Sequence, residues 1–431
     1  MRRSGFAVVC GLLGALLQPA RSAWATQPLE SFLERAKSQN FDAREGYATE
    51  RQRSAEADTA LGRLTPAFTA RGVYTRNQYE VAAQLPGAPQ KLVITPLNQL
   101  DAFLQLDVPI IDLASYHRYR AASALAESAT AQNGATTIDV GRSVAQSYYQ
   151  FLGASALVDS ARESIKTAEA NQKNVDDRRA AGAATDLDHE RAAASVARAE
   201  QDLADAELGA ALAARSLETL SGVNPDAAEP FPEDDLRSEG TLQNWLSLAV
   251  TTPSQRVAQK LGEAAEQNRK AANRALFPTL VGSAQERITN ATGFSGKNSA
   301  YTLLLTLSWR IDYAAVATTN AQSAALEVQK VRVERTRRAA EDAAFQAFRR
   351  VEAGVAKSRA ARAQAAAATR AAELAVDRYA AGVATQLDVT QAQHDAFLAS
   401  AAKIQADADL AFARASLRLA AGVPVSDKRP R

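Results

Sequence analysis

At 431 residues the chain is long enough for two or three globular domains, but its composition argues against that layout. Alanine dominates, aromatics make up 6%, and Gly and Pro number only 21 and 14, the profile of long helices packed through small side chains. The net charge is +2 with no basic patch or arm, which leaves nucleic-acid binding without electrostatic support.

Residues 1–25 read as a secretory signal peptide. Arg2 and Arg3 supply the charged start, Phe6 to Leu17 an apolar core too short to span a bilayer, and Ala23-Trp24-Ala25 the small-x-small cleavage pattern. The mature chain then starts at Thr26. The only cysteine, Cys10, leaves with that segment, and Val9 before it does not suit a lipid-anchor site. Disulfides and thiolate metal sites are thereby excluded. No later window holds 18 uninterrupted apolar residues, so a secreted chain of this kind is either soluble or enters a membrane as a β-barrel.

Leu29 to Leu64 has helical spacing, ended by Pro66. The period then changes to two. Phe68, Ala70, Gly72 and Tyr74 alternate with Thr69, Arg71 and Thr75, and Leu100, Ala102, Leu104, Leu106 and Val108 alternate with mostly polar residues. With the connection around Pro86-Gly87-Ala88-Pro89, residues 66–110 predict a β-hairpin with a long loop. From Asp112 to Ala181 the helical pattern runs almost unbroken, roughly 100 Å at 1.5 Å per residue. Gly182 interrupts it, Leu187 to Leu220 forms a second helix, and Gly222 closes that helix. Residues 224–240 are acidic and proline-bearing, a linker.

The second half repeats this order. A helix spans Leu242 to Ala275, Pro278 opens a strand to Ile288, and residues 290–299 turn the chain. Tyr301, Leu303, Leu305, Leu307 and Trp309 then alternate with Thr302, Thr306, Ser308 and Arg310, with Leu304 the exception, which makes 278–310 a second hairpin. Asp312 to Ala381 is the second long helix, Gly382 breaks it, Leu387 to Leu419 is the last helix, and 424–431 is a polar tail expected to be disordered. The spacing itself recurs. RRAAGAATDLD (178–188) returns as RYAAGVATQLD (378–388), and Gly222-Val223 returns as Gly422-Val423 at the same offset of 200. One helix, β-hairpin, long helix, helix unit is thus written twice, over 26–223 (helices 112–221) and 241–423 (helices 312–421), a duplication and not a solenoid.

Four strands of about 10 residues, each apolar on one face and polar on the other, suit a tilted crossing of a bilayer around a wet lumen. Four strands cannot close a barrel, and an open edge in lipid leaves backbone groups unpaired, so the chain is expected to oligomerise. Helices of about 100 Å must likewise pack along other long helices.

These features together resemble the TolC-like outer-membrane efflux and secretion channels over essentially the whole mature chain. The residues that carry the resemblance are the two Gly-centred turns, Leu-Thr-Pro (64–66) and Leu-Phe-Pro (276–278) ahead of the strands, and Val-Pro-Ile-Ile-Asp (108–112) and Trp-Arg-Ile-Asp-Tyr (309–313) after them. The resemblance implies a mainly α protein with a membrane β-barrel sector. Three protomers would build a 12-stranded outer-membrane barrel continuous with a periplasmic α-helical barrel, with residues 224–240 at its equator. It implies a passive exit duct of a tripartite efflux pump or type I secretion system in a Gram-negative outer membrane. The implied partners are outer-membrane lipid, a periplasmic adaptor, and an inner-membrane pump or ABC exporter.

At the tips, Gly182 and Gly382 suit a turn with positive φ, Thr185 and Thr385 suit N-caps, and Asp188 and Asp388 suit the first helical turn, a structural role that can account for all six. The resemblance adds functional roles. Arg178, Gly182, Thr185, Arg378, Gly382 and Thr385 become candidates for docking the adaptor. Asp388 matches a pore-constricting aspartate ring, with Gln391 where the family carries a second aspartate. Tyr379 and Asp188 match a hydrogen-bonded pair that holds the tip closed, and Ala384 stands where some members have an assisting arginine.

No catalytic, metal or cofactor site is legible. Gly296-Lys297 lacks the rest of a phosphate loop, and His117, His189 and His394 lack metal-ligand spacing. Of the rival readings, a soluble periplasmic coiled-coil scaffold leaves the four alternating strands unexplained, and a helical enzyme requires a site the sequence does not offer. The exported substrate is not encoded in any pattern found.

Overall fold

A computed structural model describes residues 27–84, 87, 91–225, 234–423 and 425. The predicted signal peptide, most of the loop around Pro86 and Pro89, residues 226–233 of the predicted linker and nearly all of the predicted tail lie outside the described residues. The chain is mainly helical. Leu29–Gln39 (α1), Phe41–Gly62 (α2), strands Ala67–Arg76 (β1), Val81–Ala83 (β2), Leu92–Thr95 (β3) and Asn98–Ile111 (β4), then Leu113–Ala180 (α3) and Asp186–Ser221 (α4) make the first half. Leu242–Ala249 (α5), Pro253–Arg274 (α6), Thr279–Thr289 (β5), Ser299–Ser308 (β6), Tyr313–Ala380 (α7) and Gln386–Ala420 (α8) make the second.

Two expectations need correction. The opening helix of each half is broken in two. In the first, the Asn40 carboxamide oxygen caps α2, accepting from Asp42 N at 2.9 Å and Ala43 N at 3.4 Å, while its Nδ2 donates to Leu220 O. In the second, Pro253 takes the first position of α6, where its missing N–H costs nothing. The first hairpin also carries a small extension, β2 paired with β3, beyond its two main strands.

The long helices α3 and α7 each run 68 residues, about 100 Å. α3 is central. Towards the sheet it packs against α2 and α6, and α6 packs on α7; towards the other end it packs against α4 and α8, and α8 packs on α7. Midway, α1 buries Leu29 and Phe32 against Val144, Tyr148 and Phe151 of α3 and Leu217 of α4. Leu242 and Trp245 of α5 make the matching contact with Phe348 and Val351 of α7 and Leu410 of α8. Much of the remaining packing is alanine, which allows close helix approach.

The four main strands form one antiparallel sheet in the order β1-β4-β5-β6. Pairing fixes which residues share a face. Phe68, Leu106, Ala284 and Leu303 form one row, as do Ala70, Leu104, Glu286 and Tyr301. This face is apolar and exposed: Phe68, Leu303, Leu305 and Leu307 are each 68–72% accessible. Glu286, which accepts from Ser299 Oγ, is its polar exception. Tyr74 and Tyr301 stand towards the hairpin ends of this face and Phe68 towards the helices, where Trp309 follows β6 and donates from Nε1 to Leu276 O, giving the two aromatic levels expected at membrane interfaces. The opposite face carries Thr69, Gln105, Gln285 and Thr302 in one row and Asp107 with Ser283 in the next.

Strand order and helix order match. α2 feeds β1, β4 feeds α3, α6 feeds β5 and β6 feeds α7, so β1-β4-β5-β6 stands on α2-α3-α6-α7. The edges of both layers therefore coincide. On one side are β6 and α7, on the other β1 with α2 and then α4. α7 is conspicuously bare: its first buried residue is Ala344, and Val328, Val331 and Leu374 are exposed. Across the molecule, Tyr47 of α2 and Leu208 and Leu212 of α4 are exposed too.

Candidate functional site

The end of the helices away from the sheet holds both copies of the repeated motif, and each forms the same turn. Gly182 and Gly382 both adopt φ +74°, a conformation open to Gly at little cost. Gly182 N donates to Arg179 O and Ala183 N to Arg178 O; Gly382 N donates to Tyr379 O and Val383 N to Arg378 O. These are paired Schellman closures of α3 and α7. Thr185 and Thr385 then cap α4 and α8. Each backbone N–H and hydroxyl donates to the carboxylate of Asp188 or Asp388, whose own N–H returns to the hydroxyl. The motif thus encodes a helix stop and a helix start five residues apart.

The two tips differ in their remaining positions, and the 200-residue offset shows how. Arg179 and Asp186 form an ion pair at 2.7 Å across the first tip, and His189 Nδ1 lies 2.6 Å from Asp176 Oδ1. The equivalent residues in the second tip are Tyr379, Gln386, Val389 and Val376. Tyr379, Gln386 and Val389 are buried, with Tyr379 and Val389 packed with Val175 of α3 and Ala192 of α4. The amide of Gln386 is 1% exposed and finds no hydrogen-bond partner among the described residues.

Arg178 joins the tips. Its guanidinium donates to Tyr379 O at 2.9 Å and Ala380 O at 2.7 Å and lies 4.8 Å from the centre of the Tyr379 ring. The carbonyls it reaches lie in the last turn of α7, where a cation suits the negative helix end. The expected Tyr379–Asp188 hydrogen bond is not formed within the chain: Thr185 holds the Asp188 carboxylate and Arg178 covers the Tyr379 ring. Sequence reasoning assigned Arg178 outward, to a partner, and missed this bridge. Asp388 and Gln391 are exposed, with Gln391 Nε2 donating to Asp395 at 2.9 Å. The Thr385 N–H and hydroxyl hold the Asp388 carboxyl below its usual range, with Arg378 adding to the effect. Above the tips, α3, α4, α7 and α8 line a groove of about 810 Å³ carrying Glu163, Arg191, Arg198, Glu373, Asp377 and His394.

Among the described residues no cluster of His, Cys, Asp or Glu is placed to hold a metal, and no helix is long and apolar enough to cross a membrane.

A family model for outer membrane efflux proteins matches residues 32–223 and 248–423. The fold is similar to solved outer-membrane channels. VceC of Vibrio cholerae is 17% identical, with 92% of this chain and 96% of that one covered and a TM-score of 0.76. CmeC of Campylobacter jejuni is 15% identical, with 97% and 94% covered and a TM-score of 0.77. MtrE of Neisseria gonorrhoeae, in its open state, is 19% identical, with 92% and 89% covered and a TM-score of 0.77. No curated protein sequence matches.

Proposed function

Because the chain belongs to the outer membrane efflux protein family, and so is an outer-membrane protein extending into the periplasm, we propose that three copies form the exit duct of a tripartite export machine. The observation that carries this reading is the coincidence of unpaired edges in both layers. β6 and α7 lie open on one side, β1, α2 and α4 on the other. A head-to-tail contact that pairs β6 with β1 of the next copy keeps every neighbour antiparallel and closes if the rotation closes. Three copies give twelve strands, an even number as in single-chain outer-membrane barrels, and the same rotation sets α7 against the neighbour's α2 and α4. The apolar sheet face then meets lipid and the polar face lines the lumen. This sheet is what a soluble coiled-coil scaffold would have no use for.

In this reading the duct is passive, and energy comes from an inner-membrane pump or ABC exporter joined through a periplasmic adaptor. The tips bearing Arg178, Gly182, Thr185, Arg378, Gly382 and Thr385 receive the adaptor. Three Asp388 carboxylates converge on the pore and favour cations, with Gln391 one turn further along α8, and Tyr379 and Asp188 belong to the closed tip. The direct test is the purified protein in a planar bilayer, with export restored to a host lacking its own duct. Stepwise, cation-preferring conductance that loses its preference in Asp388→Ala is expected. No conductance and no recovery of export would reject the duct.

A further inference from the structure

We infer that Arg71 forms a positive collar on the lumen wall of the strand sector, where it binds polyanions reaching the channel from outside. The inference rests on the duct reading. Arg71, Phe103, Arg287 and Ala300 form one row across all four strands. The row lies on the polar face, near the hairpin ends of β5 and β6 and midway along β1, since Arg287 is two residues from the end of β5, Ala300 is the second residue of β6 and Arg71 is at the middle of Ala67–Arg76.

The two guanidiniums share one aromatic ring but differ in their commitments. Arg71 lies 4.9 Å and Arg287 5.8 Å from the centre of the Phe103 ring. Arg287 is spent on Asp101, donating from Nε at 2.9 Å and Nη2 at 2.8 Å, and Gln99 donates to the same carboxylate. Arg71 makes no ion pair among the described residues and is exposed. Stacking on Phe103 fixes its plane and leaves its edge N–H groups free, the arrangement that suits phosphate-like oxygens. The next row towards the helices is neutral (Thr69, Gln105, Gln285 and Thr302), so no carboxylate cancels the charge at that level. The nearest acid beyond it, Asp107, accepts from Gln105 and Ser283. Three copies around the lumen place three uncompensated guanidiniums at one height, where like charges add their potentials. The duct then carries opposite signs in its two sectors, Asp388 at the helical tip and Arg71 within the strands.

The test uses inorganic tripolyphosphate as blocker, added to either side of the full-length protein in a planar bilayer at about 0.1 M salt, where screening extends about 10 Å. Block from the outer side is expected, weakened at least threefold in Arg71→Ala and largely kept in Arg71→Lys. It should vanish near 1 M salt, where the screening length falls to about 3 Å. Phe103→Leu should give an intermediate effect by freeing the guanidinium. Conducting channels with equal block in wild type and Arg71→Ala would overturn the collar while leaving the duct intact. Failure of the wild type to conduct at all would overturn both.

Discussion

Removing the Arg178 guanidinium takes away two charge-assisted hydrogen bonds and a ring contact that join the first tip to the second. Hydrogen bonds to charged groups contribute about 1.5–3 kcal/mol each, less at a half-exposed site such as this. Arg178→Ala should therefore loosen the resting tip and raise single-channel conductance, and Arg178→Lys should rescue it only partly because it lacks the planar fork. Tyr379→Phe should leave conductance near wild type, since the ring and the backbone carbonyl, not the hydroxyl, meet Arg178. A conductance increase in Tyr379→Phe would restore the family-type hydrogen bond. Gly382→Ala forces a Cβ into φ +74° with no neighbour to clash, so the cost is backbone strain alone, about 1–2 kcal/mol. Thermal unfolding of the tip-labelled protein would show it. The Asp388 carboxyl is held below its usual range, so its cap contributes stability above the unfolded pKa and loses it as pH falls through the lower folded value. Cation preference should accordingly persist from neutral pH down through the ordinary carboxylate range, about pH 4, and fall away only below that range.

At the scale of elements, the strands make the sharpest distinction. Leu305 and Thr306 are neighbours on β6 but face opposite sides of the sheet. Leu305→Arg should destabilise the assembled protein by about 2–4 kcal/mol if it lies near the bilayer midplane, while Thr306→Arg should be tolerated and alter conductance. Chemical unfolding from detergent or lipid separates the two. These strands were legible because a wall between lipid and water imposes period two on every residue, and the long helices because nothing in Leu113–Ala180 or Tyr313–Ala380 breaks the helical pattern. The break at Asn40 was not, because it answers a tertiary demand, a donor for the last carbonyls of α4, that no local pattern announces. The tip follows the same division. Its caps were legible from Thr185, Asp188, Thr385 and Asp388, which act on their own backbone. The Arg178 bridge was not, because its partner is 201 residues away. The contrast of Arg179 with Tyr379 at equivalent positions was the available signal that one tip would be exposed and the other buried.

Across the whole molecule, the equator fastens the end of the linker to the second half through charge. Arg414 of α8 reaches Asp234 at 2.7 Å, Glu239 and the Arg237 carbonyl, and Arg362 of α7 reaches Asp407 at 3.0 Å and the Asp234 carbonyl. Leu236, in the left-handed region at φ +55°, inserts beside Phe348 and Leu417 in the same segment. The described part of the predicted linker is thus a strap pinned to α7 and α8, and it fixes the bare edge helix against the rest of its own chain. In the proposed trimer that rigidity matters because α7 and β6 present one continuous edge to a second copy, in water and in lipid alike. The central claim is that such edges close only between copies. Native mass measurement of the protein extracted in mild detergent tests it most directly: a particle of three chains is expected, and a stable single chain would contradict it.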